Sequence, residues 1–298
     1  MASPFPEFVR QGVLPGFSAL KYNPSREWIF PSIIRAEGRL SGAKGRWGMY
    51  YSPHESPGGI CLAWADDLAG PWREHPDNPL IANAWAPHYA VSHVASPHPL
   101  WIEEEKTLFL WYHGENDTTR LATSTDGVHF NYEGAVMTGS QLRTDGEPSS
   151  SCYYVRVFPH DGLGGGDRYV MLAPGWPMNI YVATSRDART WRIRPEPLLR
   201  HPEGKCFCSP FLWREAGRDF VVYHCDINNG PGNILATEVT PDLSRALETY
   251  PLLPAIAGAP DFTRAGDPYL VENRGVLHLF YCAGERLKGV HALATARR

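Results

Sequence analysis

Four side chains of this 298-residue chain are candidates for acid–base chemistry. Glu27, Glu147 and Asp267 are carboxylates and His98 is an imidazole, and all four stand near the start of a predicted strand. Two such groups can act together as general acid and general base. A histidine can take either part, because its unperturbed pKa lies near neutrality. These residue types therefore indicate proton transfer on a bound small molecule.

Polar and aromatic residues that could bind such a molecule stand at the ends of the same predicted strands. They are His54, His93, His113, Glu115, Asp117, Trp176, Asp226, Asn228 and Arg286. Carboxylates and amides bind hydroxyl groups, and aromatic faces stack on the C–H surface of a sugar. The segment from His113 to Asp117 is the densest polar group, and a turn of this length does not require it. We therefore expect a small carbohydrate as the ligand.

Three of the four candidates for acid–base chemistry also have a purely structural interpretation. Asp267 precedes Pro268 and could cap the turn into a strand. Glu147, before Pro148, could be a solvated loop residue. His98 stands among apolar residues and could be a hydrogen-bonded core histidine. The sequence leaves both interpretations open.

The elements that must position these residues are repeats. Five copies of a strand–turn–strand pattern begin at Phe30, Ser96, Cys152, Ser209 and Gly266, at intervals of roughly sixty residues. A repeat of this length with alternating apolar and polar positions is typical of propeller blades. We predict an all-β fold, a single five-bladed β-propeller of four-stranded antiparallel blades.

Each copy continues into a third strand, a polar turn and a short fourth strand, as in Arg120–Phe130 with its Asp126-Gly127 turn. The predicted blades cover approximately residues 29–80, 94–137, 150–199, 207–253 and 265–298. The last blade has no fourth strand of its own, which would leave unpaired backbone groups at its edge. We predict that residues 7–14 pair with its third strand and close the ring.

Propeller geometry explains how residues so distant in sequence could share one site. The innermost strand of each blade starts at one face of the central channel, and the loop from the second strand to the third returns to that face. Residues before the first strand and after the second should therefore converge on one cavity.

Composition excludes several classes of protein. The net charge of −4 and the absence of a Lys/Arg cluster argue against nucleic acid. No apolar run has membrane-spanning length, and residues 1–16 lack the features of a signal peptide. Several of the six cysteines replace small apolar residues in predicted strands, which fits buried free thiols. We expect a cytoplasmic protein, or a secreted one if a signal peptide has been removed.

The five strand pairs and the third-strand phrase Ala122-Thr123-Ser124-Thr125-Asp126-Gly127 resemble those of five-bladed propeller glycosidases. The resemblance is greatest to glycoside hydrolase family 43 and to the wider arabinanase, levansucrase and invertase superfamily. It covers essentially the whole sequence. It implies an Asp base in blade one, an orienting Asp in blade two and a Glu acid in blade three.

The sequence departs from this pattern at the implied catalytic positions. Phe30 stands where the blade-one Asp is expected, and Glu27 is the nearest carboxylate. His98 aligns with the expected blade-two Asp, and Glu147 lies close to the position of the expected blade-three acid. Asp267 preserves the Asp-Pro phrase, but in blade five. The resemblance therefore implies a relative with a rearranged site.

We predict a glycoside hydrolase-like enzyme with Glu147 as acid, Asp267 or Glu27 as base, and His98 and His93 as orienting residues. Two alternatives remain open: a carbohydrate-binding propeller without turnover, and a lyase or isomerase with His/Tyr acid–base groups. No cofactor is predicted, and a divalent cation in the central channel is compatible with the residues but not predicted. The sequence does not specify the sugar, the linkage, the stereochemical outcome or the oligomeric state.

Overall fold

The repeated strand pairs form the inner halves of five antiparallel sheets, and each sheet has four strands. The computed structural model describes residues 3–16, 20–176, 179–200, 207–225, 233–285 and 287–297. These residues contain strands, turns and one short 3-10 helix, and no α-helix. The predicted all-β, five-bladed propeller is confirmed.

In blades one to four the strands follow one another in sequence order from the inside of the blade to its outside. An initial strand, β1 (Val9–Val13), precedes blade one, which contains β2 (Ile29–Arg35), β3 (Trp47–Ser52), β4 (Cys61–Ala65) and β5 (Arg73–Glu74). A small hairpin, β6 (Ala84–Trp85) and β7 (Tyr89–Ala90), leads to blade two, with β8 (Val94–Ile102), β9 (Thr107–Gly114), β10 (Thr118–Ser124) and β11 (Asn131–Thr138).

The second half of the protein repeats this order. The 3-10 helix Gly139–Gln141 and the hairpin of β12 (Arg143–Thr144) and β13 (Glu147–Pro148) lead to blade three, with β14 (Arg156–Pro159), β15 (Tyr169–Gly175), β16 (Asn179–Ser185) and β17 (Arg192–Ile193). Blade four contains β18 (Phe207–Glu215), β19 (Arg218–Cys225), β20 (Asn233–Val239) and β21 (Ala246–Leu253). Blade five contributes β22 (Ala265–Asn273), β23 (Val276–Ala283) and β24 (Val290–Arg297).

The N-terminal strand completes blade five. β1 pairs antiparallel with β24, so that Val9 faces Thr295 and Val13 faces Ala292. Phe8, just before β1, is buried in the core cluster that joins blades one, four and five. The prediction that the N-terminal segment closes the last blade is confirmed.

Both faces of the inner strands are covered, because each blade packs against the next. Every residue of β3 and β4 is buried, which explains why these strands read as nearly continuous apolar runs. The cysteines Cys61, Cys152, Cys208 and Cys282 are buried free thiols within this packing. No helix among the described residues has the length and apolar character of a membrane span.

Candidate active site

The innermost strand of each blade begins with one residue in the left-handed region of backbone conformation. These residues are Phe30, Ser96, Tyr154, Ser209 and Asp267, with φ between +48° and +58°. In blades one, two, four and five the register between the first two strands shifts at this point, which is a β-bulge. Non-glycine residues rarely adopt this conformation, and when they do they are often found at functional sites. The five residues form the top layer of the central channel.

A cavity of about 350 Å³ lies over this layer. Its charged side chains are Glu27, Asp267 and Arg264, and its aromatic wall includes Phe30, Tyr153, Tyr154 and Trp176. Further polar residues line it at Asn116, Ser150, Ser151, His54 and His224. The cavity therefore combines acid–base groups with faces on which a sugar could stack.

Arg264 links two buried carboxylates at the seam between blades five and one. Its Nη2 lies 3.3 Å from Asp267 Oδ2, and its Nη1 lies 3.8 Å from Glu27 Oε1. The backbone N–H of Leu287 donates a hydrogen bond of 3.1 Å to Glu27 Oε1. Charges removed from water need such partners, because their desolvation is costly. The fold thus brings together two residues, Glu27 and Asp267, that are 240 positions apart.

Asp267 is held in its ionised form. Burial alone would raise the pKa of its carboxyl, but Arg264, His224, Ser209 and Arg156 outweigh that effect and lower it below the ordinary value. The Ser209 hydroxyl donates a hydrogen bond of 2.6 Å to Asp267 Oδ1. A hydrogen bond to the charged form favours that form. Asp267 therefore carries a negative charge at neutral pH.

His224 supports the backbone of Asp267. Its Nδ1 accepts a hydrogen bond of 3.0 Å from the Asp267 N–H, so this nitrogen carries no proton. Burial lowers the pKa of His224 to about 4. The neutral ring must then carry its proton on Nε2, which is buried and has no hydrogen-bond partner among the residues that the structure describes. His224 therefore presents an N–H donor in the wall of the cavity.

The opposite wall is built from an aromatic cluster around Tyr154. Its hydroxyl lies 2.9 Å from His54 Nε2, and its ring centroid lies 5.0 Å from that of Phe30 and 4.3 Å from that of Tyr153. Trp176 is 55% exposed at the edge of the cavity. These rings offer the apolar surface that carbohydrate ligands require.

A second layer closes the channel beneath the cavity. His98 stands two residues after Ser96, and Arg156 stands two residues after Tyr154, so both occupy this lower layer. His98 lies against Tyr269 of blade five, with ring centroids 6.1 Å apart, and its Nε2 lies 2.7 Å from the Val157 carbonyl oxygen. Arg156 lies over the Tyr269 ring, 5.1 Å from its centroid. The structure places His98 below the cavity, in the buried plug of the channel.

The remaining sequence candidates lie at different distances from the cavity. Glu147 is exposed on the β12–β13 hairpin, a few residues before the cavity residues Ser150 and Ser151. Glu115 and Asp117 are exposed in their turn, and it is Asn116 between them that lines the cavity. His54, His93 and His113 cluster behind the Tyr154 wall, whereas Asp226, Asn228 and Arg286 lie outside the described residues.

Several cavity residues were not among the sequence candidates. Arg264 stands only three residues before Asp267, but a lone arginine in a loop gives no signal of its own. His224 ends an apolar strand, as His113 does, and this shared position could have identified it. Tyr154 occupies the blade-three equivalent of Asp267, which becomes visible only when the innermost strands of all five blades are aligned.

The ring of five blades and the cavity at its axis define a five-bladed β-propeller. The sequence matches no protein-family model and no curated protein sequence. Among solved structures, one described as a glycoside hydrolase superposes with a TM-score of 0.72 at 16% identity, over 97% of this protein and 91% of that one.

Two further solved structures are similar in the same way. A family 43 β-1,3-galactosidase solved with galactodeoxynojirimycin has a TM-score of 0.66 at 10% identity, over 95% of this protein and 93% of that one. The exo-β-1,3-galactanase of Clostridium thermocellum has a TM-score of 0.65 at 13% identity, over 96% of this protein and 61% of that one. The protein therefore has the five-bladed propeller fold of these glycoside hydrolases. At such low identity the likeness is one of fold.

Proposed function

We propose that the protein hydrolyses a glycoside bound in the central cavity. The observation that carries this proposal is the pair of buried carboxylates, Glu27 and Asp267, linked through Arg264 at the cavity floor. Cleavage of a glycosidic bond needs two such groups, one to protonate the leaving oxygen and one to activate water or to attack the sugar. The fold of the solved glycoside hydrolases supports the same assignment.

Asp267 is the group suited to act as base. Its lowered pKa keeps it ionised, so it can accept a proton from the attacking water. In the proposed step Glu27 gives its proton to the glycosidic oxygen as the bond to the anomeric carbon breaks. The water oxygen bonds to that carbon, and the water proton passes to Asp267. Arg264 lies 3.3 Å from Asp267 and 3.8 Å from Glu27, so it would hold both carboxylates at the floor of the cavity.

The sugar would bind between the aromatic wall and the polar residues of the rim. Tyr153, Tyr154 and Trp176 offer ring faces, and Asn116 and Ser151 offer groups that bind hydroxyls. A small carbohydrate is the proposed partner.

One observation favours a second candidate function. The hydroxyl of Tyr154 lies 2.9 Å from His54 Nε2, and a tyrosine in contact with an imidazole can serve as an acid–base pair. A lyase or isomerase would use this pair and would not require both carboxylates. A third candidate, carbohydrate binding without turnover, is motivated by Phe30 at the blade-one position.

The test is a panel of aryl glycosides and oligosaccharides assayed for turnover, with calorimetric binding measured in parallel. We expect the wild-type protein to hydrolyse at least one of them, and Asp267→Asn and Glu27→Gln each to lower turnover by about 10²–10⁴-fold. Glu272→Gln is the matched control, because it changes an exposed carboxylate on the same strand as Asp267.

The other outcomes separate the alternatives. Turnover that is lost in Tyr154→Phe but kept in both carboxylate variants would assign the lyase or isomerase chemistry. Binding without turnover in the wild type would assign a carbohydrate-binding propeller. A loss in Glu147→Gln equal to that in Asp267→Asn, with Glu27→Gln active, would assign proton donation to the β12–β13 hairpin.

A further inference from the structure

Three histidines meet behind the aromatic wall, at the seam between blades one and two. His54 follows β3, His93 precedes β8 and His113 stands near the end of β9. Each offers one ring nitrogen, and the three nitrogens lie within 4.8 Å of one another. The ring centroids are 5.4 Å apart for two of the pairs and 5.9 Å apart for the third. Two different blades thus supply one compact group of imidazoles.

Hydrogen bonds on the far side of two rings orient them toward the centre of this group. His54 Nδ1 lies 3.4 Å from Glu55 Oε1, and His93 Nδ1 lies 3.0 Å from Ser92 Oγ. If each Nδ1 carries the proton and donates it to these oxygens, each Nε2 keeps a lone pair. At His54 that lone pair now faces the Tyr154 hydroxyl, 2.9 Å away, and the ion would replace this contact. Metal-ligating histidines show this pattern, with the second nitrogen bonded to a carboxylate or another oxygen.

His113 is the independent evidence for a ligand at this position. Its side chain is 1% exposed, and neither Nδ1 nor Nε2 has a hydrogen-bond partner within the described part of the chain. Nε2 of His93 is also buried and makes no hydrogen bond of ordinary geometry to the described residues, although the Asn116 side chain lies close to this ring. Buried polar groups are nearly always satisfied, and leaving one unsatisfied costs about 1–3 kcal/mol. A bound ion would satisfy the ring nitrogens that face the centre of the group.

We propose that His54, His93 and His113 bind a divalent transition-metal ion, zinc or an ion with the same preference for imidazole. Three neutral imidazoles with one open position make up a common zinc site, and zinc, copper and nickel all favour this ligand. The Tyr154 hydroxyl lies 2.9 Å from His54 Nε2, and His54 and Tyr154 both line the cavity, so the ion would lie at the edge of the cavity. A water molecule or a hydroxyl of the ligand would complete the coordination.

The experiment uses the full-length protein without a histidine tag, treated with a chelator and then dialysed. Calorimetric titration with Zn²⁺ should show one saturable site per molecule. Substitution with Co²⁺ should give the intense visible absorption of a tetrahedral complex. His54→Gln and His93→Gln should abolish both signals, and Glu55→Gln should weaken zinc affinity about 10–100-fold, as removal of an orienting partner does.

The matched control is His88→Gln, which changes an exposed histidine stacked on Tyr132 and should leave metal binding unchanged. Folding is followed by circular dichroism, and His54 is only partly buried, so its variant tests the site even if a variant of His113 does not fold. The proposal is overturned if the folded wild type binds none of Zn²⁺, Co²⁺, Ni²⁺ or Cu²⁺ at a saturable site. It is equally overturned if His54→Gln and His93→Gln bind the ion as the wild type does. Neither result bears on the roles of Glu27 and Asp267, which are tested by turnover.

Discussion

A buried carboxylate can be kept ionised when its surroundings replace the water that it has lost. Asp267 is 1% exposed, yet it is stabilised by Arg264, by the Ser209 hydroxyl and by the nearby His224 ring. The same surroundings make Asp267 important for folding, because its loss leaves the buried cation Arg264 without its nearest carboxylate. The proposed catalysis and the stability of the fold would therefore depend on the same side chain.

The first prediction concerns this double role of Asp267. Asp267→Asn should lower the free energy of unfolding by about 3 kcal/mol, because removing one partner strands the buried Arg264. The measurement is urea unfolding at pH 7.5. Glu272→Gln, which changes an exposed carboxylate on the same strand, should shift stability by no more than about 0.5 kcal/mol. An Asp267→Asn variant as stable as the wild type would show that Arg264 does not depend on this carboxylate.

The second prediction concerns Arg264 itself. Arg264 lowers the pKa of Asp267, so Arg264→Met should raise that pKa and move the acidic limb of the kcat/KM profile to higher pH. Arg264→Lys keeps the charge and should shift the limb less. The exposed Arg274, at the turn after β22, provides the control variant Arg274→Met. An acidic limb that stays in place in Arg264→Met would remove Arg264 from the tuning of the base.

Among the elements, the five-residue strand β1 is the one that closes the ring. It supplies the outermost strand of blade five and joins the N-terminal segment to β24. Arg10 also forms an ion pair of 2.8 Å with Asp261, whose side chain is 2% exposed. Without β1, the edge of β24 would expose its backbone groups, and Asp261 would lose its cation.

The third prediction tests how much this strand contributes to ring closure. Phe8 is buried in the core and Val9 is 61% exposed, so Phe8→Ala should cost about 3–5 kcal/mol whereas Val9→Ala should cost little. Deleting residues 1–14 should lower the melting temperature further, because the strand pairing is lost as well. Calorimetry of the three variants checks this order. A truncated protein with the same melting temperature as the full-length protein would show that the ring does not need its N-terminal strand.

Across the whole molecule, the ring encloses several histidines that are kept neutral. Burial lowers the pKa of His98 to about 3, and that of His224 and His291 to about 4. Each of these groups has its ordinary pKa near 6.5 once the protein unfolds. Between those values the unfolded state holds more protons than the folded one, and stability therefore falls as the pH falls.

The fourth prediction follows from that difference. The free energy of unfolding should decrease as the pH falls below about 6.5, with each buried histidine adding up to about 1.4 kcal/mol per pH unit. His98→Gln should reduce the slope of unfolding free energy against pH by the contribution of about one proton. Glutamine can still form a hydrogen bond to the Val157 carbonyl but does not titrate. Urea unfolding at a series of pH values from 7.5 to 5 measures the slope. A stability that is constant over this range would contradict the assignment of neutral buried histidines.

The order of the residues is enough to predict the architecture of the ring. The second strand of each pair is a nearly continuous apolar run, as in β3, β9 and β15, and such a strand is stable only when neighbouring sheets cover both of its faces. The same reasoning placed β1, because an outer edge left open in blade five required a partner strand. These conclusions depend on local patterns, which can be read along the sequence.

The arrangement of the site, in contrast, exists only in the folded ring. Glu27, Arg264 and Asp267 come from two blades that meet only when the ring closes, so no local pattern links them. The left-handed residue at the start of each innermost strand sets which side chain enters the top layer. This placed Ser96 in that layer and His98 one layer lower, because alternate residues of a strand reach successive levels of the channel. The sequence shows which types of side chain are present. Their positions depend on backbone conformation and on ring closure, and both of these are properties of the whole folded protein.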